Sequence, residues 1–136
     1  MSEMVNEFLS ITNQTKGKIK ILPFVDVLKL KDAILGKKYD LSIAIVGTHT
    51  AKKINIETRQ KTYTPNTLSF VYEKNSGEII LCPIVIQKQA LKNKSKLLDY
   101  SAYIIIHSML HLKGLDHGDK MEKLEEKFLN QFGYKI

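Results

Sequence analysis

The chain has 136 residues, 43% of them aliphatic or aromatic and 26% charged; this fits one globular domain and excludes a disordered tail, a collagen-like fibre or a disulfide-stapled peptide. Lys and Arg outnumber Asp and Glu by 21 to 14, a net charge of +7, and Arg59 is the only arginine among those cations. That surplus favours a polyanionic partner such as RNA or DNA, because lysines meeting phosphates release condensed counterions; a lysine-rich surface serving only solubility has the same composition.

The opening MSEMVNEFLS carries acids where a leader would have a basic and then an apolar segment, and the single cysteine, Cys82, has no partner in the chain. The expected compartment is therefore the reducing cytoplasm. A first strand is expected around Phe8 to Thr12. Pro23 opens a helix from Phe24 to Leu35, with Val27, Leu28, Leu30, Ile34 and Leu35 as its apolar stripe and Gly36 as its stop. Leu41 to Val46 reads LSIAIV, which suits a strand buried on both faces. A short polar helix from Thr50 to Thr58 follows.

Thr67 to Glu73 and Glu78 to Cys82 are strand-like runs joined by Lys74-Asn75-Ser76-Gly77, a hairpin loop in which Gly77 can take a positive φ. Pro83 marks the exit, and Ile84 to Lys92 is expected as a helix. From Ser95 to Gly114 there is almost no polar face, the mark of a buried helix. Its greasy part, Leu97 to Leu112, contains Asp99, His107 and His111 and falls short of the ~20 apolar residues of a membrane span, so no transmembrane helix and no membrane association are expected. Asp119-Lys-Met-Glu122 has the form of a capping box that starts a last amphipathic helix ending near Gly133. Together these describe an α/β (α+β) fold. Residues 1–136 form a single domain with a small, mixed, mostly parallel sheet, an antiparallel hairpin strand and one buried central helix.

Three of the four histidines lie at 107, 111 and 117. His107 and His111 are one helical turn apart and project from the same face. Gly114 can end the helix in the left-handed conformation and let the chain swing back, so that His117 meets the first two. Three neutral imidazoles converging on a point suit a borderline metal, zinc above all, with a fourth position open. A closed structural zinc site would be rich in cysteine, so this site reads as catalytic. The alternative is a pair of core histidines satisfied by each other or by backbone carbonyls, with His117 an exposed cap.

The spacing H-x-x-x-H-x-x-G-x-x-H has a metzincin-like look, but Ser108 stands where zinc proteases carry the glutamate that serves as general base, so peptidase chemistry is not expected. His49, in Thr48-His49-Thr50, reads as a turn or cap residue. Asp116 reads equally as a carboxylate orienting a ligand histidine or as a turn acid.

His107-Ser-Met-Leu-His111-Leu-Lys-Gly114-Leu-Asp116-His117 resembles the H-G-x-L-H-L-x-G-y-D-H signature of the YbeY family of bacterial endoribonucleases and ribosomal RNA maturation factors. Asn55, Arg59 and Lys61, the run Thr67-Leu68-Ser69-Phe70, Gly77-Glu78-Ile79-Ile80 and Met121 are similar to other segments of that family, in consistent order over about residues 40 to 130. Ser108 stands for the usual glycine, Pro65-Asn66 for Thr-Asp, and Glu78 for aspartate.

The resemblance implies a metal-dependent, single-strand-specific endoribonuclease acting in 3′ end maturation of small-subunit ribosomal RNA and in ribosome quality control. It also implies association with the small ribosomal subunit, including one of its proteins and a ribosome-linked GTPase. On this reading His107, His111 and His117 hold one Zn2+ per chain. Arg59 binds substrate and stabilises charge on the phosphodiester, its planar fork being something lysine lacks, while Lys61 contacts the RNA backbone. The competing reading is a ribosome-assembly factor without catalysis, binding RNA and protein and using a structural zinc to pin its C-terminal helix.

Overall fold

The computed structural model describes residues 2–18 and 21–136. Among them lie strands β1 (Ser2–Asn6), β2 (Leu9–Asn13), β3 (Asp40–Ile45), β4 (Thr67–Glu73) and β5 (Ser76–Leu81). The helices are α1 (Phe24–Ile34), α2 (Thr48–Arg59), α3 (Pro83–Lys92), α4 (Leu97–Leu112) and α5 (Asp119–Gln131). The strands form one sheet in the order β1-β2-β3-β5-β4. β2, β3 and β5 run parallel at its centre, and β1 and β4 add antiparallel strands at the two edges.

The expected α+β architecture with a mixed sheet is present, and the central strand explains its layering. Successive side chains of a strand point to opposite faces. Leu41, Ile43 and Ile45 of β3 enter a large core shared with α1, α4 and α5. Ala44, and Val46 just beyond the strand, enter a smaller core with Ala51 of α2, Leu68 and Ile80. With apolar neighbours on both sides, the run LSIAIV needs no polar face. The expected buried helix is α4: Ile104, Ile105, Ile106, Met109 and Leu110 are all at most 3% exposed, and each such side chain contributes roughly 1.5–3 kcal/mol by leaving water.

Four local expectations change. β1 is not among the expected strands, because the side chains of residues 3–6 are exposed and its partner is β2 alone, so no buried face marks it in sequence. α2 begins at Thr48 behind Gly47, which puts His49 inside its first turn instead of in the turn before it. Gly77 lies within β5 and is not among the positive-φ glycines; the hairpin reverses at Lys74-Asn75. What position 77 lacks is room, since a Cβ there would meet Tyr39 Oη at 2.6 Å, the Phe70 carbonyl at 2.9 Å and Leu112 Cδ2 at 3.0 Å. The capping box at 119–122 does not form either. Gly118 is the N-cap, its carbonyl accepting from the Glu122 N–H at 3.0 Å, and no side chain caps the helix. Asp119 and Glu122 fall in the first turn, where their charge still favours the helix N-terminus.

Candidate metal centre

The three histidines meet where α4 ends. Gly114 takes φ +96°, its N–H donates to the His111 carbonyl at 2.9 Å, and the Leu115 N–H donates to that of Leu110 at 3.1 Å. This pair of bonds closes a helix and turns the chain back, at a backbone conformation that glycine adopts at little cost. His117 is thereby returned to the face that carries His107 and His111. One nitrogen from each ring falls within 4.8 Å of the other two, and ring centroids are 4.6–5.0 Å apart.

The tautomers are set from behind. The Leu115 carbonyl lies 3.0 Å from His111 Nδ1 and can only accept, so that nitrogen carries the proton. Glu125 Oε2 lies 2.5 Å from His107 Nδ1 and in the same way accepts the hydrogen bond of that ring's Nδ1–H. In the neutral rings both Nε2 atoms are then bare lone pairs, and they face each other at 3.1 Å. Two lone pairs at that distance repel unless a proton or a metal ion lies between them. A proton has no use for the third ring that His117 supplies, whereas a divalent ion does, and the donor set therefore fits a metal. Burial, and next the neighbouring His107 ring, push the His111 pKa down, which keeps that imidazole neutral and ready to ligate.

The trio opens into a cleft of about 600 Å³, lined also by Arg59, Tyr63, Tyr103 and the edge strand from Thr67 to Val71. Arg59, the last residue of α2, is exposed and reaches this cleft, with Nη1 donating to Asn55 Oδ1 at 3.4 Å. Lys61 is exposed and lies outside the lining residues. His49 is also outside them, on the outer surface of α2 beside Lys52 and Lys53. Ser108, in the place of a protease's glutamate, is wholly buried; its hydroxyl donates to the Ile104 carbonyl at 2.8 Å and shares a hydrogen bond with Thr67 Oγ1 at 2.8 Å. Position 108 thus faces β4 and not the cleft, and a hydroxyl is accommodated there.

Of the two readings of Asp116, its carboxylate is exposed and makes no hydrogen bond to a histidine among the described residues. Glu125 holds His107 instead. Sequence reasoning missed it, although a signal exists: Met121, Glu125, Phe128 and Leu129 are the buried positions of α5, so an acid occupies the apolar stripe.

An α+β fold that presents three convergent imidazoles, positioned to hold a metal ion, and an arginine to one open cleft defines a protein with a candidate metal site. Comparison with known proteins narrows this. The family model described as Endoribonuclease YbeY matches residues 9–133. The protein named Endoribonuclease YbeY from Buchnera aphidicola (subspecies Acyrthosiphon pisum) is 37% identical over 117 residues, 75% of this chain and 76% of that one. Its namesake from Nitrosomonas eutropha is 36% identical over 110 residues, 75% of this chain and 78% of that one. The chain belongs to the endoribonuclease YbeY family. Its fold is similar to the solution structure of TM1509 from Thermotoga maritima, with a TM-score of 0.61 at 21% identity over 91% of this chain and 88% of that one. Among the described residues, no helix is long and apolar enough to cross a membrane.

Proposed function

We propose that this endoribonuclease-family chain works as a single domain over residues 1–136, cutting single-stranded ribosomal RNA with one zinc ion held by His107, His111 and His117. The observation that carries this reading is the shared cleft: three imidazoles that bring one nitrogen each within 4.8 Å of the others, and the only arginine of the chain on the same wall. A zinc ion held there would polarise a phosphoryl oxygen or lower the pKa of a water in the open position.

The chain's own residues divide the remaining work. Cleavage builds negative charge on the phosphate oxygens, and the Arg59 guanidinium, steadied by Asn55, offers a planar pair of donors for it. Lys61, outside the cleft, binds the backbone of the RNA beyond the cut. Glu125 and the Leu115 carbonyl keep two ligand rings in the right tautomer. Membership of the family further supports action in small-subunit rRNA 3′ maturation and quality control, in contact with the small ribosomal subunit in the cytoplasm.

The test uses purified protein loaded with zinc and a defined single-stranded RNA. His111→Ala should leave folding and RNA binding in place and abolish strand scission. Arg59→Lys keeps the charge and removes the fork, so cleavage should fall sharply while binding survives. Equal cutting by wild-type and His111→Ala protein would refute the zinc-dependent mechanism. Failure of loaded wild-type protein to cut would favour an assembly factor with a structural zinc.

A further inference from the structure

Tyr63 lies on the cleft wall between Arg59 and the start of β4, with 54% of its surface exposed. A single exposed ring is ordinary in a folded protein; the way its main chain is fixed is less so. Gln60, at the end of α2, adopts the left-handed conformation (φ 55°, ψ 33°), which is uncommon for a residue with a side chain and turns the strand-bound segment back over the helix. Wholly buried Asn55 secures that reversal. Its Nδ2 donates to the Tyr63 carbonyl at 3.0 Å, its carbonyl accepts from the Lys61 N–H at 3.4 Å, and its Oδ1 accepts from Arg59 Nη1 at 3.4 Å. One buried amide therefore ties an arginine and an exposed aromatic residue to the same rim.

We propose that Tyr63 is a stacking platform for an unpaired nucleobase, next to the phosphate bound by Arg59. The inference rests on the RNA-cleaving function proposed above and adds to it a physical source of strand selectivity. Every base has a π-face, so stacking on an aromatic ring is tolerant of sequence. A base inside a duplex is already stacked above and below and has no free face to offer, so the platform accepts only an unpaired one. Charge alone does not make this distinction, because single and double strands both carry phosphates.

The experiment measures binding of a short oligouridylate, and of a sugar-phosphate chain of the same length without bases, to wild-type, Tyr63→Phe and Tyr63→Leu proteins, each metal-free and zinc-loaded. Leucine keeps an apolar side chain at an exposed position, and Asn55 holds only the main chain of residue 63, so the fold is expected to survive both changes. Tyr63→Leu should bind oligouridylate roughly tenfold more weakly, and Tyr63→Phe nearly as well as wild type. All three should bind the baseless chain equally, with the same dependence on salt. A 2-aminopurine placed in the oligouridylate should be quenched on binding wild type and Tyr63→Phe, but not Tyr63→Leu. Equal oligouridylate affinity for Tyr63→Leu and wild type would overturn the platform and leave the nuclease reading standing. So would an equal loss on both chains, since it would show that residue 63 acts without regard to the base. If wild type binds neither chain, the RNA reading falls together with the platform.

Discussion

Glu125 and His107 are joined across two packed helices: the carboxylate oxygen of one, in α5, lies 2.5 Å from the Nδ1 of the other, in α4, and Glu125 is only 6% exposed. The buried acid aims the imidazole and, by accepting the hydrogen bond of its Nδ1–H, leaves Nε2 the better donor to a metal. Glu125→Ala should weaken zinc binding by roughly 10- to 100-fold, measured by competition with a chelating dye. Glu125→Gln should lose less, because the amide oxygen accepts the same proton without the charge. Zinc should also raise the thermal unfolding midpoint of the wild type, with about 2.7 kcal/mol of stabilisation at a free concentration 100 times Kd, and this rise should vanish in His111→Ala.

Gly77 and Tyr39 share one tight space. A methyl group at 77 would come within 2.6 Å of a tyrosine hydroxyl that is itself buried and has no hydrogen-bond partner among the described residues. Gly77→Ala should cost about 1–3 kcal/mol from overpacking. Tyr39→Phe, which removes that hydroxyl, should be neutral or stabilising by itself, and it should recover part of the loss in the double variant. Denaturant unfolding of the four proteins measures the coupling, and purely additive effects would contradict the shared space.

Lys31 is fully buried near the end of α1. Its ammonium donates to the carbonyls of Lys37 and Tyr39, each at 2.9 Å, and lies 3.2 Å from Asp32 and 5.7 Å from the centre of the Phe8 ring. It pins the turn between α1 and β3. Lys31→Met keeps the packing of the stem but strips two carbonyls of their donor, and should destabilise the fold by roughly 2–4 kcal/mol. The midpoint of urea unfolding should fall with no change in slope, while zinc affinity should stay as in wild type.

The Tyr72 hydroxyl donates to Glu78, and that hydrogen bond raises its pKa to about 12, with burial and the charge of Glu78 adding to it. The raised value means that folding favours the protonated phenol. The stabilisation is complete below the ordinary tyrosine pKa of 10.0 and is lost as pH climbs through about 12. In a spectrophotometric titration Tyr72→Phe should remove one late-ionising tyrosine, and Glu78→Gln should bring the Tyr72 step back toward 10.0.

The strands and helices that bury a continuous apolar face were legible from sequence. LSIAIV became the doubly covered β3 and the run from Ser95 became α4, because burial on both faces leaves an uninterrupted apolar pattern. β1 was not legible, since an exposed edge strand is defined by hydrogen bonds to β2 that any side chain permits. At Gly77 a glycine in a loop-like string suggested backbone freedom. The requirement comes instead from Tyr39 and Leu112, residues 38 and 35 positions away in the chain.

The sequence by itself determined the pairing of His107 with His111 and the return of His117. A helical turn and a left-handed glycine are local geometry, fixed by spacing alone. Only the tertiary structure decided that Glu125 reaches His107 from 18 residues away, and that Arg59 and Tyr63 join the histidines around one cleft. Those meetings depend on how α5 and the α2–β4 connection dock against α4, and docking is set by the fit of whole buried faces, which no local pattern of residues encodes.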